Sequence, residues 1–284
     1  FMNQLNLFIE LTRLKKPIGY MLLFWPCAWG LTLAYDFENN HNLYFFYLLL
    51  FFLGSVLMRS AGCIINDISD KEFDKKVSRT KNRPIASGKI SIILGLLYAV
   101  ILCLSALIVL INFNKLTIIL AFCSMPLAFT YPLMKRFTHW PQLFLGITFN
   151  YGLILGWTSI ENEITLIPII LYFGAIFWTL GYDTVYGYQD ITDDEIIGVK
   201  STSIKFKNNP KKFLFICYSL TVLSYLLLGQ FMDFNFLFYV GAIFMIIHLF
   251  FYQLKKFNSK NINVCLSIFK SNNLFGFIVL IFII

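Results

Sequence analysis

Residues 42–74 read Asn42-Leu-Tyr-Phe-Phe-Tyr-Leu-Leu-Leu-Phe-Phe-Leu-Gly-Ser-Val-Leu-Met-Arg59-Ser-Ala-Gly-Cys63-Ile-Ile-Asn66-Asp67-Ile68-Ser69-Asp70-Lys71-Glu72-Phe73-Asp74. Up to residue 65 this is an apolar run, and a helix needs ~20 such residues to cross the hydrocarbon core of a bilayer. Acids begin where the run ends. One stretch therefore carries both a membrane span and a charged site at one face of the membrane.

Runs of the same kind recur on either side, at 17–35, 90–111, 115–133, 142–159, 164–187, 212–230, 235–254 and 264–284. With 42–65 that makes nine. Lipid offers no partner to free backbone N–H and C=O groups, so continuous runs of this length must be helical. A β-barrel would show ~10-residue alternating segments instead. Composition agrees: 58% of the 284 residues are hydrophobic and only 13% charged, where a soluble domain carries about a quarter charged residues. That balance excludes a soluble globular domain and a disordered chain. The expected fold is an all-α integral membrane protein, a bundle of nine transmembrane helices forming a single domain over 1–284. The last helix is expected to be interrupted by Asn272 and Asn273, and Gly152-x-x-x-Gly156 is read as general packing rather than as a close-approach motif.

The net charge is +8, but its placement argues against nucleic acid. The cations lie in gaps between apolar runs. Apart from Arg59 and Lys115, all 23 Lys and Arg fall in the N-terminal segment, the 66–89, 134–141 and 188–212 gaps and the 255–270 region. These are alternate connections. Asp36, Glu38, Glu161, Glu163 and Asp233 occupy the others. The positive-inside rule then places the N-terminus and the basic gaps in the cytoplasm and the C-terminus outside. The composition fits a bacterial inner membrane, and the first apolar run lacks an A-x-A-like cleavage site. The six cysteines show no CxxC spacing and read as small embedded hydrophobes. The three histidines show no ligand spacing.

Nine of the 15 acids fall in two clusters on the basic side. In the first, Asp67, Asp70 and Asp74 stand at i, i+3 and i+7, on one face if the helix continues past residue 66. The second reads Asp183-Thr-Val-Tyr-Gly-Tyr-Gln-Asp190-Ile-Thr-Asp193-Asp194-Glu195, with Asp183, Asp190 and Asp194 at i, i+7 and i+11. A solvated acidic loop is the plain alternative for either cluster. Like charges at helical spacing repel, however, unless something binds between them. Clustered carboxylates without nitrogen or sulfur ligands suit a hard cation, Mg²⁺ above all, which takes one or two carboxylates together with substrate phosphates. A diphosphate held between two such clusters also needs fixed cations. Arg79, Lys81 and Arg83 follow the first cluster, and Lys200 follows the second. Such a site at the mouth of an apolar bundle points to a lipid-tailed diphosphate whose tail lies between helices.

These stretches resemble the UbiA family of intramembrane aromatic prenyltransferases. The family motif NDxxDxxxD is matched by Asn66, Asp67, Asp70 and Asp74, and a looser DxxxD by Asp190 and Asp194. Six flanking blocks are similar to the branch of the family that acts on 4-hydroxybenzoate in ubiquinone biosynthesis. They are Lys16-Pro17-Ile18-Gly19, Leu23-Phe24-Trp25-Pro26, the block from Leu57 to Cys63, the block from Arg79 to Pro84, the block from Tyr131 to His139, and Lys200-Ser201-Thr202. Ile191, Thr192 and Lys71 depart from the common pattern. The resemblance covers nearly the whole chain and implies transfer of a polyprenyl group from polyprenyl diphosphate to the ring of 4-hydroxybenzoate. It implies Mg²⁺ on Asp67, Asp70, Asp74, Asp190 and Asp194, with Asn66 assisting. Asp190 or Asp183 would draw off the phenolic proton. Arg136 is the first choice to meet the acceptor carboxylate, with Lys71 and Arg13 as alternatives, and Arg59 is a further substrate-binding candidate at membrane depth. Rival readings are a family member with another acceptor (naphthoate, homogentisate or haem), a transporter with an acidic ion path, and a structural subunit.

Overall fold

The computed structural model describes residues 2–38 and 41–284, and among them no strand forms. The helices are α1 (Met2–Thr12), α2 (Ile18–Ala34), α3 (His41–Ser69), α4 (Lys71–Asp74), α5 (Ile92–Leu110), α6 (Lys115–Thr130), α7 (Met134–Phe137), α8 (Pro141–Asn150), α9 (Gly152–Glu161), α10 (Leu166–Gly187), α11 (Ile191–Ile197), α12 (Thr202–Lys205), α13 (Pro210–Phe231), α14 (Phe236–Ile246) and α15 (Ile262–Ile283). A π-helical segment, Ile247–Leu254, extends α14.

Among the described residues, eight helical stretches are long and apolar enough to span a membrane: α3, α5, Lys115–Phe137, Pro141–Glu161, α10, α13, Phe236–Leu254 and α15. The ninth apolar run becomes α2, shorter at 17 residues. Its position explains its composition. Leu22 and every residue from Phe24 to Ala34 are buried, so α2 is the central helix and is apolar on all sides. By contrast, α5 buries only Gly95, Ala99 and Ala106. Its Ile93 is 81% exposed and its Ile108 66%, as suits a helix whose solvent is lipid.

Two sequence expectations are corrected here. The Gly152-x-x-x-Gly156 motif is a true close-approach surface. A Cβ on Gly156 would stand 2.3 Å from the Cys27 carbonyl oxygen, and one on Gly30 of the facing helix 1.9 Å from the Leu153 carbonyl oxygen. The backbones of α2 and α9 therefore touch, which only small residues allow. The last helix is also not interrupted at the asparagines, since α15 runs unbroken over Ile262–Ile283. Asn272 is fully buried; its Oδ1 accepts from Trp178 Nε1 at 2.7 Å and from Gln253 Nε2 at 3.0 Å. Asn273 Oδ1 accepts from Trp25 Nε1 at 2.9 Å. In lipid such bonds join helices, so these residues tie α15 to α2, to α10 and to the π-helical segment.

The close contact of α2 and α9 gives a direct test. Overpacking a filled interior costs about 1–3 kcal/mol, and backbone against backbone has little room to relax. Gly30→Ala should lower the melting temperature of detergent-purified protein markedly. Gly62→Ala, where a Cβ meets nothing within 4 Å, should leave it unchanged.

Candidate functional site

Helix α3 delivers the first acidic cluster. It stops at Ser69, because Asp70 leaves helical geometry (φ −98, ψ 3) before α4 begins. The helix thus continues past residue 66, as the shared face requires, but only to Ser69. Hydrogen bonds bridge the break: Asp70 N–H donates to the Asn66 carbonyl at 2.9 Å, and Asp74 N–H to the Asp70 carbonyl at 2.8 Å. The three carboxylates stay close to one face and are buried, with Asp67 2%, Asp70 2% and Asp74 6% exposed.

Buried carboxylates must be paired, and distant segments supply the partners. Arg13, just after α1, donates through Nη2 to Asp67 Oδ1 at 2.5 Å. Arg83 Nη1 bridges Asp67 Oδ1 at 3.1 Å and Asp74 Oδ2 at 2.8 Å. Lys135 of α7 donates to Asp70 Oδ2 at 2.5 Å. Asp70 Oδ1 remains buried with no hydrogen-bond partner. Burial raises the Asp70 carboxyl above its ordinary value, and Lys135 offsets part of that rise.

The second cluster straddles a break as well. α10 ends at Gly187 and α11 starts at Ile191, so Asp183, Asp190 and Asp194 do not share a continuous helix face, contrary to the spacing argument. The structure nonetheless brings the two clusters together. Arg79, in the loop after the first, grips Asp190 with two bonds, Nε to Oδ1 at 2.7 Å and Nη2 to Oδ2. Ser78 donates to Asp193 Oδ2 from its N–H at 3.2 Å and its hydroxyl at 2.9 Å. The Asp194 carboxyl is pushed up to about 6 by burial and then by the charge of Asp190, against the pull of Lys135 and Arg79.

Asp183 lies apart, inside α10. It makes no ion pair among the described residues, and the charge acting on it is that of Arg59. Arg59 packs over the Phe149 ring, 5.3 Å from its centroid, and its Nε is buried without a hydrogen-bond partner. A Cβ on Gly19 would sit 3.0 Å from that Nε, so Gly19 makes room for the guanidinium. Tyr131 feels the charges of both Arg59 and Asp183. A second polar group thus sits beneath the acidic mouth.

Other expected site residues fall elsewhere. Arg136 donates to the Ser69 carbonyl at 2.6 Å and covers the Phe73 ring on the exposed side. Its neighbour Lys135 takes the inward place. Consecutive helical residues point about 100° apart, so Lys135 rather than Arg136 makes the ion pair with Asp70. Lys200 buttresses α7, its Nζ donating to the Phe137 carbonyl at 3.2 Å and its N–H to the Lys135 carbonyl at 2.9 Å. It does not pair with the acids. Lys71 makes no ion pair among the described residues, where the nearby pair is Lys75 with Glu72.

Among the described residues no three acids form a ready-made metal cage. The donor set still fits Mg²⁺, which needs only one or two carboxylates beside waters and substrate oxygens. The acids of both clusters offer carboxylate oxygens, and one of these, Asp70 Oδ1, is buried without a hydrogen-bond partner.

Comparison with known proteins places this geometry. The model of the UbiA prenyltransferase family matches residues 23–279. Over 208 residues the chain is 46% identical to the mitochondrial 4-hydroxybenzoate polyprenyltransferase of Arabidopsis thaliana, covering 73% of this chain and 51% of that protein. Against the Rattus norvegicus protein of the same name, identity is 47% over 73% of this chain and 55% of that protein. The chain thus spans about half the length of these mitochondrial relatives. It is 38% identical to the 4-hydroxybenzoate octaprenyltransferase of Francisella tularensis subsp. novicida (strain U112), over 98% of this chain and 96% of that one. The fold matches a UbiA homolog from Archaeoglobus fulgidus bound to GPP and Mg²⁺, with TM-score 0.72, 18% identity and coverage of 98% and 96%. It also matches the apo UbiA homolog from Aeropyrum pernix K1, with TM-score 0.70, 20% identity and coverage of 91% and 98%.

The Arg79–Asp190 pair fastens the loop after α4 to the second cluster. Arg79→Gln should raise amide hydrogen exchange over residues 75–90 about three- to tenfold, since a loop's protection reflects its local opening free energy. Lys81→Gln should leave exchange there unchanged.

Proposed function

Because the chain belongs to the UbiA prenyltransferase family, we propose that it transfers a polyprenyl group from polyprenyl diphosphate to 4-hydroxybenzoate, ortho to the hydroxyl, releasing diphosphate, with Mg²⁺ as cofactor. The observation that carries this reading is the meeting of two acidic clusters, with their own basic partners, at one end of a lipid-facing bundle. The likeness to the Francisella protein along nearly all of both chains supports the acceptor. The pathway is then ubiquinone biosynthesis.

Asp67, Asp70, Asp74, Asp190 and Asp194 would hold the metal, with Asn66 beside them. When bound, Mg²⁺ supplies neutralisation of the charge that grows on the leaving diphosphate. The chain's own cations have the complementary task. Arg13, Arg79, Arg83 and Lys135 rest on carboxylates, and phosphate oxygens offer them equivalent charge and geometry. Arginine grips phosphate with two parallel bonds and lysine acts as a point charge, so an incoming diphosphate takes over partners that the acids release.

Deeper in the bundle, Asp183 is the group to receive the acceptor's phenolic proton, since Asp190 is engaged on both oxygens by Arg79. Arg59 offers an unpaired buried N–H to the acceptor's carboxylate. Arg136 is bound to the Ser69 carbonyl on the outer side, which favours Arg59 for that role. The apolar walls keep water from the allylic cation. The protein sits in the inner membrane with the acidic mouth and N-terminus in the cytoplasm and the C-terminus outside, as the basic gaps require.

The test uses membranes containing the protein, a polyprenyl diphosphate and 4-hydroxybenzoate, with product read by mass spectrometry. Prenylated hydroxybenzoate should form with Mg²⁺ and vanish with EDTA. Asp67→Asn should lower the rate on the order of 100-fold, as loss of a group that supports transition-state charge does, and Asp183→Asn should lower kcat with little change in diphosphate affinity. Product from naphthoate or homogentisate alone would overturn the acceptor. No product from any acceptor, with folded protein, would overturn the enzyme.

A further inference from the structure

A second basic site lies on the same side of the bundle, away from the acids. A cleft of about 610 Å³ opens between the start of α13 and the chain just after the π-helical segment, lined by Asn209, Lys211, Lys212, Lys255, Lys256 and Asn258 among others. No acid lines it. None of the four lysines forms an ion pair among the described residues. Among the described residues, only the Lys256 ammonium of these four has a side-chain hydrogen-bond partner, the Tyr252 hydroxyl at 3.3 Å.

Two of these lysines are electrostatically misplaced. A helix N-terminus carries partial positive charge and favours acids. The first turn of α13 has no acid, carries Lys211 and Lys212 instead, and has no side-chain cap from Asn209. The start of α13 therefore lines a cleft already crowded with ammonium groups. Repulsion of this kind is relieved when an anion sits between them. The cleft's wall helices also say which anion. Just below it toward the bundle, Phe215 and Phe251 are 53% and 66% exposed. The ring of Phe215 meets Phe250 edge-on at 5.4 Å, closing the seam between the two walls. A charged recess above a lipid-facing aromatic seam matches a phosphate headgroup with acyl chains beneath it, better than it matches a free ion.

We propose that this cleft is a binding site for the phosphate headgroup of an anionic membrane lipid. It is separate from the acidic mouth and does not depend on the catalytic reading.

The experiment titrates the detergent-purified full chain with short-chain phosphatidylglycerol, short-chain phosphatidylcholine or inorganic phosphate, and reads bound ligand by native mass spectrometry. Phosphatidylglycerol should bind about tenfold tighter than phosphatidylcholine. The variant combining Lys211→Gln, Lys212→Gln, Lys255→Gln and Lys256→Gln should lose that preference. A variant with the same charge removed elsewhere (Lys75→Gln, Lys76→Gln, Lys81→Gln and Lys89→Gln) should keep it. Should the fourfold cleft variant not fold, Lys255→Gln with Lys256→Gln alone should show about a threefold loss. Equal loss in the two fourfold variants would reduce the effect to general surface charge and overturn the proposal. So would phosphatidylglycerol binding unchanged by the cleft substitutions. Inorganic phosphate binding as tightly as phosphatidylglycerol, and lost in the cleft variant, would assign the cleft to a soluble anion and overturn the lipid.

Discussion

The acidic mouth depends on one constraint: three carboxylates are buried from the end of α3 to the end of α4, and burial forbids leaving them unpaired. Asp67, Asp70 and Asp74 draw in Arg13, Arg83 and Lys135 from three separate parts of the chain. Each pairing also fixes a segment, alongside apolar anchors such as Leu11, Ile85 and Ile90. Arg13 sets the end of α1 against α3. Arg83 folds the loop after α4 back over the acids that precede it. Lys135 draws α7 inward and thereby turns Arg136 outward. Arg79 then ties the loop to Asp190. A mouth assembled from charge pairs in this way differs from a core assembled by apolar packing, because each buried carboxylate that lost its partner would be left as an uncompensated charge.

Beneath the mouth the bundle obeys other rules. Between helices in lipid there is little hydrophobic drive, so close contact and hydrogen bonds must do the joining. α2 and α9 use glycine to bring their backbones together. α15 uses Asn272 and Asn273 to engage indole N–H groups and Gln253. The rigid part of the molecule is therefore the central bundle around α2. The ring of charged loops at one end is joined by ion pairs instead. This division suits a reaction in which a charged headgroup must enter and leave while an apolar tail stays in a fixed, dry space.

Much of this was legible in the residues. Apolar runs of ~20 residues can only be helices in lipid, so the eight long spans and α2 all lie where the runs lie. The pairing of the two acidic clusters was legible too, because the alternation of basic gaps sent both to one side. What the sequence hid was decided by tertiary contact. Asparagines in an apolar run read as interruptions, and nothing local says that Trp178 and Trp25 wait to meet them. Spacing arguments carried α3 and α10 straight through the acids, whereas the chain turns at Asp70 and again between Gly187 and Ile191. The choice between Lys135 and Arg136 rests on how α7 is rotated, which no local pattern encodes. The role of Gly19 became visible only beside Arg59.

The central claim is that the acids hold a metal for diphosphate while the chain's own cations change partners. Calorimetric titration of inorganic diphosphate into detergent-purified protein, with and without Mg²⁺, tests it most directly. The account predicts that Mg²⁺ tightens diphosphate binding at least about tenfold, that diphosphate tightens Mg²⁺ binding by the same factor, as linkage requires, and that Asp70→Asn removes the coupling. Diphosphate binding of equal strength with Mg²⁺ and without it would contradict the account.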